Sequence, residues 1–123
     1  MDKKEDEKYL VAVATSDGIL VDNHFGRAKT FYIYQIENDF DIKEVEYRNV
    51  SAVCEGGSHD TEKLIENIKN LSDCRYLLVS KIGDVALNIA KSYGITPIEI
   101  PGKIEDSIEE LIKFKKIQDL FRW

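Results

Sequence analysis

The chain has 123 residues, enough for one domain that buries roughly two thirds of its unfolded surface, so neither a disulfide nor a structural metal is needed for stability. Lys and Arg number 17 against 23 Asp and Glu, a formal net charge of −6, which argues against nucleic acid as a partner. The longest unbroken apolar run, Tyr9 to Ala14, is six residues, far short of the roughly 20 a spanning helix requires. With a polar amino terminus, this predicts a cytoplasmic protein without a membrane partner, in which Cys54 and Cys74 are free thiols or ligands rather than a disulfide.

In chain order, residues 1–8, Met1 followed by the charge run Asp2 to Lys8, read as a disordered lead-in to a single domain spanning 9–123. Tyr9 to Thr15 is apolar on both alternating faces, the pattern of a central strand covered on both sides. Phe31 to Ile36 and Ile42 to Arg48 form a hairpin, and the alternation of Glu44, Glu46 and Arg48 with Val45 and Tyr47 puts the second strand at an edge. Leu64, Ile65, Ile68 and Leu71 make the apolar stripe of a helix capped by Asp60. Arg75 to Val79 is a buried strand, followed by a helix capped by Ser80, with Val85, Ala86, Ile89, Ala90 and Tyr93 inward and Gly94 at its end. Ile95 to Ile100 is a strand whose Pro97 favours an edge. Ile104, Ile108, Leu111, Ile112 and Leu120 define the last helix, on which Lys113, Lys115 and Lys116 read as a solvated face. The order gives an α/β domain with a mixed sheet of about five strands, the strands after each helix parallel to the first. Ligands in such sheets bind at the rim formed by strand C-terminal ends.

Two segments concentrate chemistry on that rim. Ser16 to Lys29 contains His24, Phe25 and Gly26; an imidazole can ligate a metal and the glycine admits something bulky, although a lone loop histidine is more often a hydrogen-bonding or surface residue. Cys54 to Asp60 contains Cys54, Gly56, Gly57 and His59 ahead of a helix start. Consecutive glycines and a helix N-terminus would stabilise an anion and make Cys54 accessible and reactive; the alternative is a flexible loop after an edge strand. Cys74 precedes a buried strand and reads as core packing. Two cysteines 20 residues apart cannot hold an ordinary iron–sulfur cluster alone, which leaves a carrier touching a preassembled cluster through one or two side chains.

The segments Val11 to Gly18, Val21 to Ala28 with Phe31 to Tyr34, Cys54 to Gly57, Leu71 to Val79, Lys81 to Asp84 and Tyr93 to Pro97 resemble the dinitrogenase iron–molybdenum cofactor biosynthesis family, which takes in NifX and NafY carriers and the carboxy-terminal domain of NifB. The resemblance, over about residues 9–115, implies a ribonuclease-H-like three-layer α/β fold and non-enzymatic binding, storage or transfer of an iron–sulfur cluster of the cofactor-precursor type in nitrogen fixation. It implies His24 and Cys54 as the metal ligands, with Phe25, Gly26, Gly56 and Gly57 around the transiently bound cluster. The implied partners are cluster donor and acceptor proteins, with a homodimer left open and roles for His59 and Cys74 undecided. The radical-SAM cysteine motif of full-length NifB does not occur in the sequence, so that chemistry is not expected here. The competing readings are a metal-independent regulatory or adaptor module, a Cys–His hydrolase on Cys54 and His24, and a nuclease suggested by the fold, for which the loop carboxylates Asp17 and Asp22 read more simply as turn formers. The nuclease reading lacks the usual first-strand carboxylate, since Leu10 to Ala14 offer none.

Overall fold

The computed structural model describes residues 8–38, 41–50 and 61–121. The elements are β1 (Lys8–Ala14), β2 (Leu20–Val21), β3 (Thr30–Glu37), β4 (Asp41–Asn49), α1 (Thr61–Lys69), β5 (Tyr76–Val79), α2 (Asp84–Ser92), β6 (Thr96–Glu99), β7 (Gly102–Lys103) and α3 (Ile104–Leu120). Five strands form one sheet in the order β4-β3-β1-β5-β6, and β2 pairs with β7 in a separate ribbon. β1 runs antiparallel to β3 and parallel to β5, β3 antiparallel to β4, and β5 parallel to β6. The expected α/β class, central first strand and hairpin edge are thus all observed. β1 takes in Lys8, one residue of the stretch read as a lead-in.

The period of two in β1 divides the interior into two cores. Ala12 and Ala14, with Phe31, Ile33, Leu77 and Val79, face α1 and α2, whose Leu64, Ile68, Ala86 and Ala90 complete that layer. Tyr9, Val11 and Val13, with Ile36, Tyr76 and Leu78, face Ile104, Ile108, Leu111 and Ile112 of α3. From Tyr9 to Ala14 both faces of β1 are covered, which is why neither set of alternate positions there carries a charged side chain.

β4 is exposed along its length and is managed as an edge. A register irregularity opposite Ile33 and Tyr34 makes Val45 an extra residue, and Arg48 fastens the strand to the α1–β5 turn. Its guanidinium donates to the Asp73 carboxylate at 2.8 and 2.9 Å, to the Asn70 carbonyl at 2.8 Å and to Glu46 at 2.6 Å. Arg48 holds the Asp73 carboxyl below its ordinary pKa, and Asp73 raises that of Arg48. Bulge and charge both discourage edge pairing. Pro97 lies in β6, the other edge, where its missing N–H breaks no ladder bond.

Four local expectations are corrected. Val85 is 63 % exposed, because the inward arc of α2 is narrow and centred on Ala86 and Ala90. The residue preceding α2 is Gly83 rather than Ser80, with no side-chain cap. Leu120 is 69 % exposed, since α3 outruns the sheet it covers. Lys115, expected in a solvated face, is wholly buried: its Nζ lies 5.2 Å over the Tyr9 ring and 3.1 Å from the Asp119 carboxylate. Its aliphatic stem continues the α3 stripe while its ammonium is met by a ring face and a carboxylate one turn on. Asp60, expected to cap α1, lies outside the described residues. The helix stripe itself holds for Leu64 and Ile68; Leu71 is also buried, in the turn beyond the helix.

Candidate functional site

The loop after β1 is built by its own side chains. The Asp17 carboxylate accepts the Ile19 and Leu20 N–H groups at 2.8 and 3.0 Å, and these bonds hold its pKa below the ordinary aspartate value. Thr15 Oγ1 accepts the Gly18 N–H at 3.0 Å. Asp22 closes the far side, accepting the Ser16 N–H at 2.9 Å and the Ser16 hydroxyl at 2.6 Å. These are turn duties of the kind short polar side chains perform. Both carboxylates are therefore engaged in shaping the loop, the turn duty expected of them. Gly18 is required twice over: its φ is +78°, and a Cβ there would approach the Tyr32 ring to 2.8 Å. Gly18→Ala is expected to destabilise the protein by about 2 kcal/mol through combined backbone strain and displacement of Tyr32. Equilibrium urea unfolding checks this, and a change below about 0.5 kcal/mol would mean the loop relaxes freely.

Past this turn the chain re-enters the sheet rim. The Asn23 N–H donates to the Ala14 carbonyl at 3.4 Å, the Ser80 N–H to the Asn23 carbonyl at 3.0 Å, and the Phe25 N–H to the Lys81 carbonyl at 2.9 Å. His24 forms a parallel bridge with Lys81. Asn23 to Phe25 thus acts as one extra rung between the C-terminal ends of β1 and β5, where the sequence places a ligand rim. A single turn of 3₁₀ helix, Phe25–Arg27, follows. Phe25 is 2 % exposed and packs on Phe31 with ring centroids 5.7 Å apart, whereas His24 is exposed and Gly26 half-buried. The buried ring anchors the turn and leaves the imidazole outside. Of the residues expected around the cluster, Phe25 therefore contacts the core, and His24 is the group offered to solvent.

Cys54, Gly56, Gly57 and His59 lie outside the described residues. Val50, the last described residue before them, sits at the same rim: its N–H donates to the Lys29 carbonyl at 2.8 Å, next to the Thr30–Asn49 pair. Cys74 behaves as the small core residue expected. It is 2 % exposed, and burial first, then the Asp73 carboxylate 3.6 Å from its sulfur, pushes its thiol pKa up to about 12. A thiol so held is a poor ligand and nucleophile. Among the described residues no group of three or more His, Cys, Asp and Glu is gathered that could hold a metal ion. Among the described residues of this loop, His24 is exposed on a backbone held by hydrogen bonds to the end of β5.

The ribbon and groove beside this loop had no sequence signal. Two-residue strands have no period to read, and β2 pairs with β7 while the Ile104 N–H donates to the Ile19 carbonyl at 2.8 Å. The loop carrying His24 is thereby tied to the start of α3.

Residues 7–114 match the model of the dinitrogenase iron-molybdenum cofactor (Nitro_FeMo-Co) family. The chain belongs to this family. Among curated Nitro_FeMo-Co relatives it is 38 % identical over 108 residues to the FeMo cofactor biosynthesis protein NifB of Frankia alni, covering 85 % of this chain and 21 % of that protein. It is 35 % identical over 91 residues to NifB of Azotobacter vinelandii, covering 72 % and 18 % respectively. The chain therefore spans about a fifth of the length of these NifB proteins. The fold is similar to the crystal structure of PH0822, with a TM-score of 0.66 and 30 % identity over 85 % of this chain and 89 % of that one. This Nitro_FeMo-Co domain thus stands in a family linked to FeMo-cofactor biosynthesis. Among the described residues, no helix is long and apolar enough to cross a membrane.

Proposed function

We propose that this Nitro_FeMo-Co domain binds and hands on an iron–sulfur cluster of the cofactor-precursor type, without catalysing its synthesis, and that His24 and Cys54 are the side chains that touch it. The observation that carries this reading is the exposed imidazole of His24, locked by backbone bonds between the ends of β1 and β5 in a member of this family. Rigid backbone with an exposed donor favours capture of a cargo at little ordering cost. One protein ligand, or two with Cys54, leaves the remaining cluster positions for donor and acceptor proteins, as transfer demands. The partners on this reading are those cluster donors and acceptors, and the cluster is cargo rather than a resident cofactor.

Anaerobic titration of the wild type, His24→Ala, Cys54→Ala and the double variant with an isolated cofactor-precursor cluster tests it, read by iron content and visible absorbance. Each single variant is expected to weaken binding by about tenfold or more, as loss of a metal ligand or its support does. His24→Ala should change folding stability by no more than about 0.5 kcal/mol, as an exposed substitution. Wild-type iron and affinity in the double variant would overturn the assignment and leave a metal-independent adaptor as the better reading.

A further inference from the structure

The two faces of the sheet are unequally covered. Among the described residues α1 and α2 both pack on one face, whereas α3 alone covers the other, over β1, β5 and the Ile36 end of β3. A five-stranded sheet is about 19 Å wide between its outer strands, and packed helices sit about 8–10 Å apart, so each face has room for two helices. The missing place on the α3 face is a groove of about 790 Å³ over β3 and β4, bounded by α3 and the Gly18–Ile19 loop. Its surface is apolar at Ile19, Tyr34, Ile42 and Ile108. Ile19 is 63 % exposed and Ile42 42 %, and beside them Tyr47, 62 % exposed, stacks on Tyr32.

The charge at the groove is one-sided. Glu105 and Glu109 line it against a single Lys103, and Glu44 faces Tyr34 across the β3–β4 ladder. A helix dipole accounts for an acid in the first turn of α3 such as Glu105, but not for Glu109 in the second turn. Nor do the chain's own segments outside the described residues offer a helix for the groove, residues 39–40 and 122–123 being too short for one. Residues 1–7 are one Met followed by six charged residues, and residues 51–60 hold two consecutive glycines, so neither offers an amphipathic stripe. A second copy would bring another net charge of −6 to an acidic groove.

We propose that this groove docks a basic amphipathic helix of a partner protein, laid beside α3 as the second helix of that face, with apolar side chains on Tyr34 and Ile42 and Lys or Arg toward Glu105 and Glu109. Such helix-in-groove docking reads apolar anchors at i, i+3 or i+4, and i+7. Because Ile19 lines the groove and belongs to the loop carrying His24, the docked helix contacts the same loop that presents the proposed ligand. The docking inference does not rest on the cargo reading, and its test contains no iron.

The probe is a labelled helical peptide of about 14 residues, roughly 20 Å long, with Leu at the anchor positions and Lys on both flanks, titrated into the full chain at about 0.15 M salt. Saturable binding is expected, with amide shifts in isotope-labelled protein at Ile19, Ile42 and Ile108. The double variant Glu105→Lys with Glu109→Lys, both at exposed positions, should bind about tenfold more weakly. A peptide carrying Glu in place of Lys should restore its affinity. Lack of saturable binding, shifts on another face, or an affinity indifferent to the charge reversal would each overturn the proposal. Concentration-dependent dimerisation abolished by Ile42→Asp would also overturn it, by giving the groove to a second copy.

Discussion

Phe25→Ala is expected to lower folding stability by about 3–5 kcal/mol, the range for removing a buried aromatic ring. Phe25 is 2 % exposed and packs on Phe31 in the core shared with α1 and α2, so its loss removes packing from inside that core. The neighbouring His24→Ala, at an exposed position, should be nearly silent in the same assay. The two adjacent substitutions therefore separate anchoring from presentation: one weakens the fold, the other only the outward-facing donor. Urea unfolding of both variants, followed by far-ultraviolet circular dichroism, checks the contrast. A Phe25→Ala loss below about 1 kcal/mol would show that the turn carrying His24 is not fixed by this ring. Should Phe25→Ala still fold at low temperature, its cluster binding is expected to fall with that of His24→Ala, because the rung between β1 and β5 would no longer be held from below.

The second large effect is alkaline. The Cys74 thiol has a folded-state pKa pushed up to about 12 by burial and by Asp73, whereas an unfolded cysteine titrates near 8.5. Below that unfolded value the thiol is neutral in both states and its contribution to stability is fully present. As pH rises between the two values only the unfolded chain loses the proton, so stability falls by at most about 1.4 kcal/mol per pH unit, and by a few kcal/mol in all. Cys74→Ala should flatten this difference while costing a modest amount at neutral pH. Stability measured at pH 7, 9 and 10.5 for both proteins checks the sign and slope. Equal slopes would place the thiol in contact with water in the native state. Under the same conditions Cys74 should alkylate only through unfolding, far more slowly than Cys54 is expected to.

How far the fold was legible follows from which physical signals are local. The centre of the sheet could be read because β1 is apolar at consecutive positions, which only burial on both faces tolerates. Its neighbours could be read because the charged residues of β4 belong at an edge, where the strand is exposed on both faces, and because helices between strands force parallel crossovers. The loop ahead of His24 was legible in part: Asp17 and Asp22 are turn formers by chemistry, and both serve that role. The resemblance carried by His24, Phe25 and Gly26 identified the family, which spacing alone could not.

The sequence by itself determined the α/β class, the central and edge strands of the main sheet and the family of this protein, because periodicity, turn chemistry and motif are properties of neighbouring residues. Only the tertiary structure decided that Phe25 is an anchor and His24 the presented group, since the two differ by which side of one backbone rung they occupy. It also decided that Lys115 is buried, because a lysine enters a core only where a ring such as Tyr9 and a carboxylate such as Asp119 meet its ammonium. The groove that the described residues leave beside α3 over β3 and β4 was likewise invisible in the sequence. Apolar stripes announce that a face is to be covered, but which part of a sheet goes uncovered depends on where each helix lands, and that is fixed by contacts between residues far apart in the chain.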